Sequence, residues 1–354
     1  MGNLNFESIK ARDKLYNTIY GRNLVGELRN IVQKPYLVVT MKDIWPLFEK
    51  NFDEDCVVHF VTSVDYDKVL GEISALPRFE SVIGLGGGQA LDFAKMASWK
   101  THVPLYQVPT ALSTNAAFGQ RAGMRFNNVV KYMGFAEPIV VYIDYDVIMN
   151  GPKRLNQSGI CDVLCYHNSV YDWKYAWDKG KCEPKWPYEA EMCDVVTTVK
   201  QFVIDSIDDI RDMNQKGVKT LTEALRWSGA TYHNYGWNPR HIEGTDHFLF
   251  YTIEYMTGKK FIHGQPVCLG IVHGACMQEN DPDGILDVIY RSGLDIRPEA
   301  MGLTWDEVFA AMKYEREYVV KAGYWYTIAN DFIVTDDFCE LFRDKIISKY
   351  GKWE

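Results

Sequence analysis

Three consecutive glycines are the first feature of this sequence able to do chemistry. Residues 81–95 read SVIGLGGGQALDFAK: an apolar run enters Gly86, Gly87 and Gly88, and an amphipathic stretch opens at about Gln89. Glycine lets a backbone approach a pyrophosphate closely, and the N–H groups at a helix start point at it, with modest help from the helix dipole. A tight turn alone needs one glycine, so the run points to a phosphate-bearing ligand. The spacing is neither the G-x-G-x-x-G fingerprint nor a P-loop, which would carry Lys-Ser/Thr. A second polar stretch, Val108-Pro109-Thr110-Ala111-Leu112-Ser113-Thr114-Asn115-Ala116, directly follows another candidate strand. Ligands of open α/β sheets sit beyond the carboxyl ends of strands. Its hydroxyls and amide suit a cofactor ring or a substrate, and equally a plain polar loop.

Metal-type ligands are dispersed. Asp162 opens a helical stretch just after Ser158-Gly159, His247 ends Gly244-Thr245-Asp246-His247, and His263 precedes Gly264. The two histidines lie sixteen residues apart, room for a helix and a turn to return to one pocket. One carboxylate and two imidazoles suit Zn²⁺, Fe²⁺ or Ni²⁺ with positions left for substrate. His233, His241 and His273 are equally available, so spacing does not choose among them. The eight cysteines form no C-x-x-C pair; Cys161 and Cys165 fall at helical spacing, with nothing nearby to complete a zinc-type set.

Positioning these groups requires a framework. Short apolar runs predict strands at Tyr36–Val39, Val57–Val61, Ser81–Leu85, Leu105–Val108 and Ile139–Ile143, with helices over Asp43–Lys50, Asp65–Ala75 and Gln89–Trp99 between them. Strands that short, separated by helices, imply a parallel sheet covered on both faces. After Gly151-Pro152 helical periodicity takes over, as in Tyr188–Ile204, Val218–His233, Gly264–Met277 and Trp305–Val320, with an exposed connection over Asp178–Pro187. The reading is a Rossmann-like α/β domain over 1–155, an all-α domain over 156–354, and a cleft between them.

Composition narrows the partners. With 354 residues there is material for two cores, and 47% hydrophobic against 24% charged is an ordinary balance for a water-exposed protein. A net charge of −9 argues against a protein that grips nucleic acid or an anionic membrane. The first residues lack an apolar signal core and the Ser or Thr of a myristoylation signal, and no apolar run approaches a bilayer span, so a reducing cytoplasm is expected.

Taken in order, Gly-Gly-Gly-x-x-x-Asp92-x-x-Lys95, Pro109-Thr110-x-x-Ser113, the Asp162 segment, Gly-x-x-His247 and His263-Gly264 resemble the superfamily of iron-containing alcohol dehydrogenases, glycerol dehydrogenases and dehydroquinate synthases. Gly159-Ile160-Cys161-Asp162-Val163-Leu164, Tyr171-Asp172-Trp173-Lys174 and Tyr326-Thr327-Ile328 look most like its glycerol-1-phosphate dehydrogenase branch. The resemblance, over roughly residues 30–335, implies NAD or NADP on Gly86, Gly87 and Gly88, with Asp92, Thr110 and Ser113 near the cofactor. It implies one divalent ion (Zn, Fe or Ni) on Asp162, His247 and His263, hydride transfer to or from a small polyol or ketone, phosphorylated or not, and a homo-oligomer. Thr40-Met41-Lys42 after the first strand lacks an acidic residue for a ribose 2′-hydroxyl, which leaves NADP open.

The chain departs from the family at four places. Asn115 stands where Asp is usual, Tyr166 where Lys is expected four residues after the metal Asp, and Tyr251 where a second His often follows. Gly323-Tyr324-Trp325 replaces basic residues ahead of Tyr-Thr-Ile. These losses weaken the case for a phosphorylated substrate, for which Arg121, Arg125 and Arg240 are the available replacements. Asn115, Tyr166, His167 and Tyr251 become the candidate catalytic residues, the last three as routes for a proton. Two rivals stay open: a sugar-phosphate cyclase of the dehydroquinate synthase type, which needs more Lys and Arg than these segments hold, and a non-catalytic nucleotide-binding protein on the same scaffold.

Overall fold

The computed structural model describes residues 14–126, 129–231 and 237–353. They fall into two compact units, the described parts of 6–156 with 213–237, and of 157–212 with 238–354. The first unit holds strands β1 (Thr18–Gly21), β2 (Tyr36–Thr40), β3 (Val57–Phe60), β4 (Ser81–Gly86), β5 (Leu105–Pro109), β6 (Ala122–Phe126), β7 (Val129–Met133) and β8 (Pro138–Asp144). Six of them form a parallel sheet in the order β1-β8-β5-β4-β2-β3.

β2 and β4 are buried throughout, which is why they read as unbroken apolar runs rather than as alternation. Successive side chains still part to opposite faces. Leu37, Val39 and Val82 enter one core layer with Phe93 and Met96, while Tyr36, Val38, Ile83 and Leu85 enter the other with Val108 and Tyr142. The chain leaves β2 for the edge strand β3, returns on the other side as β4, and then moves outward. The topological switch point therefore lies between β2 and β4, and β4 ends at Gly86.

All five expected strands are present within one or two residues, as are the helices at Tyr66–Ala75 and Gly88–Thr101. Asp43–Lys50 does not form the expected helix. It makes two single 3₁₀ turns, Trp45–Leu47 and Glu49–Asn51, because Pro46 supplies no N–H and Phe48 leaves helical geometry. β1 and the antiparallel hairpin β6–β7 were not expected. Nor was the place of Gln215–Gly229, expected in the helical domain: this helix belongs to the first unit. Arg226 there donates to the Tyr16 carbonyl at 2.8 Å, and Gly229 lies so close to the Phe118 backbone that a Cβ would sit 2.7 Å from it.

The second unit is helical, with no strand among its described residues. Helices Ala190–Asp205, Gly264–Gln278 and Trp305–Ala322 stand close to their expected ranges. Thr245–Thr257 packs against both Gly264–Gln278 and Trp305–Ala322. Among the described residues no helix is long and apolar enough to cross a membrane.

Candidate cofactor turn and metal centre

At the end of β4 the three glycines differ in what they do. Gly86 has φ +156°, where an L side chain is strained, and a Cβ there would press on Ala90. Gly87 is the N-cap of Gly88–Thr101 with an ordinary φ of −80°, and a Cβ built on it meets no atom within 4 Å. The space above Gly87 is open, and the first N–H groups of the helix lack intrahelical partners. This fits a pyrophosphate approaching the backbone. The Thr110 N–H donates to the Gly86 carbonyl at 3.0 Å, which ties the loop after β5 to the turn; Thr110 is buried and Ser113 half-buried.

Two other members of the motif are structural. Lys95 is buried, with its Nζ 2.7 Å from Asp92 Oδ1 and donating to the carbonyls of Ala116, Gly119 and Arg121 at 2.9, 3.3 and 2.6 Å. Burial pushes the Asp92 carboxyl up, while Lys95 and the Gly123 N–H pull it down. Asp92 is thus engaged in clamping loop 116–121 and the start of β6. Asn115 is also committed, its Nδ2 donating to Ser228 Oγ at 3.0 Å. That bond explains why the Gln215–Gly229 helix sits beside this loop.

In the second unit, Asp162 Oδ1 lies 3.3 Å from His263 Nε2, and the rings of His247 and His263 are 5.5 Å apart. Two glycines create this convergence. Gly264 packs directly on the Ser158 backbone, which sets His263 beside the turn that leads into Asp162. Gly270 packs on the Asp246 backbone, which brings His247 to the same place. Neither position has room for a Cβ. Asp246 accepts from both the backbone N–H and the Nδ1 of His247. Burial disfavours charge on this ring, but the Asp246 carboxylate outweighs it and holds the imidazole at about 9. With Nδ1 engaged, Nε2 is the nitrogen left for a cation, the usual carboxylate–histidine support of a metal ligand. Asp162 and His263 stand at ligand spacing, whereas His247 is near them by its ring but lies outside the cluster of donor atoms within 4.8 Å of one another, so its nitrogen would have to close on an ion. The donor types and this support fit a divalent ion.

Among the remaining described candidates Tyr251 joins this group, its ring 6.1 Å from His247 and 5.5 Å from Tyr324. Tyr166 is fully buried, 6.4 Å from the His241 ring. His273 pairs with Glu315 at 2.9 Å in the core, and His233 lies outside the described residues. His167 is elsewhere. Its Nε2 donates to the Asn280 carbonyl at 2.6 Å, just past the C-terminal end of Gly264–Gln278, whereas His263 caps the other end, about 20 Å away by helix rise. Burial, helped by Lys200, lowers the His167 imidazole to about 4. The unfolded chain then binds more protons between about pH 4 and 6.5, so stability falls as pH drops through that window. The shift corresponds to at most roughly 3 kcal/mol. His167→Gln should flatten the melting temperature against pH in that range; an unchanged profile would refute the structural role.

The branch-like segments also have structural work. Asp172 is buried, accepting from the Thr245 N–H at 2.8 Å and the Ile328 N–H at 3.2 Å, so it joins the start of the His247 helix to Tyr326-Thr327-Ile328. Arg240 is fully buried: Nε and one terminal nitrogen bind Glu183 at 3.1 and 2.7 Å, and the other binds the Tyr326 carbonyl at 2.6 Å.

The chain is similar to known proteins over most of its length. Residues 39–152 match the iron-containing alcohol dehydrogenase family. A glycerol-1-phosphate dehydrogenase [NAD(P)+] of Pyrococcus horikoshii is 28% identical over 268 residues, 72% of this chain and 76% of that protein. The chain is similar to the iron-containing alcohol dehydrogenase superfamily. The glycerol-1-phosphate dehydrogenase of Hyperthermus butylicus is 25% identical, with 82% of this chain and 85% of the relative covered. The crystal structure of a probable glycerol dehydrogenase from Sinorhizobium meliloti shares the fold at a TM-score of 0.71, with 15% identity and 96% and 98% of the two chains covered. Sequence reading gave no role to Asp246, Gly264 and Gly270, whose parts depend on which backbone faces them, and set Cys161 aside for want of metal-type neighbours, where the fold brings it beside Asp162 and His263.

Proposed function

We propose that this protein is a metal-dependent, NAD(P)-linked oxidoreductase acting on the CH–OH group of a small polyol or polyol phosphate. The observation that carries the reading is the convergence of Asp162, His247 and His263 in the helical unit of a chain that also presents an open glycine turn. A nicotinamide supplies the hydride acceptor or donor, and a divalent ion supplies Lewis acidity toward a substrate oxygen. Gly86, Gly87 and Gly88 admit the pyrophosphate, and Thr110 and Ser113 border it. Asp162, His247 and His263 hold the ion, with Asp246 fixing the His247 tautomer. Of the three proton routes, Tyr251 is the one supported by its ring's proximity to His247. Residence in the cytoplasm is supported by eight free cysteines, and a homo-oligomer by family analogy.

The substrate test is the ratio of specificity constants for dihydroxyacetone phosphate and dihydroxyacetone, measured with both nicotinamides. Absence of hydride transfer with any polyol or ketone, alongside bound metal and dinucleotide, would overturn the reading in favour of a cyclase. Arg240, considered above as a phosphate donor, has its guanidinium committed to Glu183 and Tyr326. Arg240→Ala is therefore expected to leave that ratio unchanged and to cost about 2–3 kcal/mol of stability, less than a fully buried pair because Glu183 is partly solvated. A collapse of the phosphate preference with an unaltered melt would contradict this.

A further inference from the structure

Cys161 opens the short helix Cys161–Leu164, one residue ahead of Asp162, and is fully buried. Its Sγ donates to Asp162 Oδ1 at 3.2 Å, and Sγ, the Asp162 carboxylate and a His263 nitrogen all lie within 4.8 Å of one another. A tetrahedral ion bound at about 2.0–2.1 Å by nitrogen and oxygen and about 2.3 Å by sulfur separates nitrogen and oxygen ligands by about 3.3–3.4 Å and a sulfur from either by about 3.5–3.6 Å. The Asp162–His263 distance of 3.3 Å and the Cys161–Asp162 distance of 3.2 Å are close to edges of that polyhedron. Cys165 and Cys268 are buried too, but they are not part of this cluster; His247 is outside it as well and reaches it only through its ring, 5.5 Å from that of His263.

We infer that Cys161 is a further ligand of the divalent ion, so that the site is Cys-Asp-His-His and favours a thiophilic ion such as Zn²⁺ or Co²⁺ over Mg²⁺. The inference rests on the reading that Asp162, His247 and His263 hold a cation, and adds a donor of different chemistry to it. As the sulfur–metal bond forms, the thiol proton leaves to water, and no atom changes oxidation state. Any further ligand then takes a fifth position.

The test is the near-ultraviolet spectrum of the full chain loaded with Co²⁺, where a thiolate ligand gives an intense sulfur-to-cobalt charge-transfer band, together with cobalt content by elemental analysis. One ion per chain with the band is expected for the parent and for Cys165→Ser. Cys161→Ser and Cys161→Ala should lose the band and bind Zn²⁺ more weakly, by at least the roughly 10- to 100-fold that a supporting group is worth. One cobalt bound without the band, or a band that survives Cys161→Ser, overturns the inference while leaving the trio intact. A parent that binds no cobalt overturns the trio, and the inference with it. Should the Cys161 variants fail to fold, the parent and Cys165→Ser spectra still decide, since a missing band in the parent is sufficient to refute it.

Discussion

Single replacement of His247 or His263 by alanine should strip the protein of its divalent ion and of turnover together. On the proposed assignment each histidine is a direct donor, and the loss of either leaves the ion short of charge or geometry. Loss of a direct ligand should exceed the roughly 10- to 100-fold cost of losing a supporting partner, so turnover should fall by more than about 100-fold. The informative control is His273, a fully buried histidine on the helix that His263 caps. His273→Ala leaves Glu315 buried without its partner, which costs on the order of 3–5 kcal/mol. That variant should melt earlier yet retain its metal, whereas His263→Ala, at a partly exposed position, should lose metal with little change in the melt of the metal-free protein. Elemental analysis that finds full metal in either ligand variant would refute the assignment.

Gly87→Val should raise the dissociation constant for NAD(P)H by about 100-fold or more, since the displaced contact is the diphosphate itself. The physical basis is specific to this glycine. Its φ of −80° is available to any residue, and no protein atom stands within 4 Å of the added Cβ, so the fold tolerates the change. A β-branched N-cap costs about 1 kcal/mol of helix stability. What the isopropyl group does occupy is the open space over the helix N-terminus. Gly86→Val is a different experiment: at φ +156° and against Ala90 it strains the turn and should lower stability as well as binding. Metal content should be unchanged in Gly87→Val, because the proposed ligands belong to the other unit. Isothermal titration of both variants separates the two effects, and wild-type affinity in Gly87→Val would refute the role of the turn.

Much of the α/β unit is legible in the sequence because its determinants are local. A parallel strand buried on both faces is a short apolar run, as at Ser81–Gly86, and the glycines at its end mark where the backbone must turn and stay uncovered. The same locality fails at Asp43–Lys50, where one proline outweighs a helical pattern, and at Thr18–Gly21, a four-residue edge strand whose pairing with β8 comes from residues more than a hundred positions away. The return of Gln215–Gly229 to the first unit depends on Phe118 backbone meeting Gly229 and on Asn115 meeting Ser228, contacts that no periodicity encodes.

The metal-type donors show the division most clearly. Residue types alone offered Asp162 and five histidines without an order among them, and only family resemblance chose His247 and His263. Tertiary structure supplies the physical reason: Gly264 and Gly270 bring backbones too close for any side chain, and that approach gathers Asp162, His247 and His263 while it sends His273 to Glu315. It also assigns Lys95 and Asp92 to a clamp, Arg240 to Glu183 and His167 to the far end of a helix, and sets the Cys161 thiol beside Asp162. Residue type and spacing determine which groups are able to bind a phosphate or an ion; which of them meet is decided by long-range packing, because side chains distant in sequence share a site only where backbones can touch.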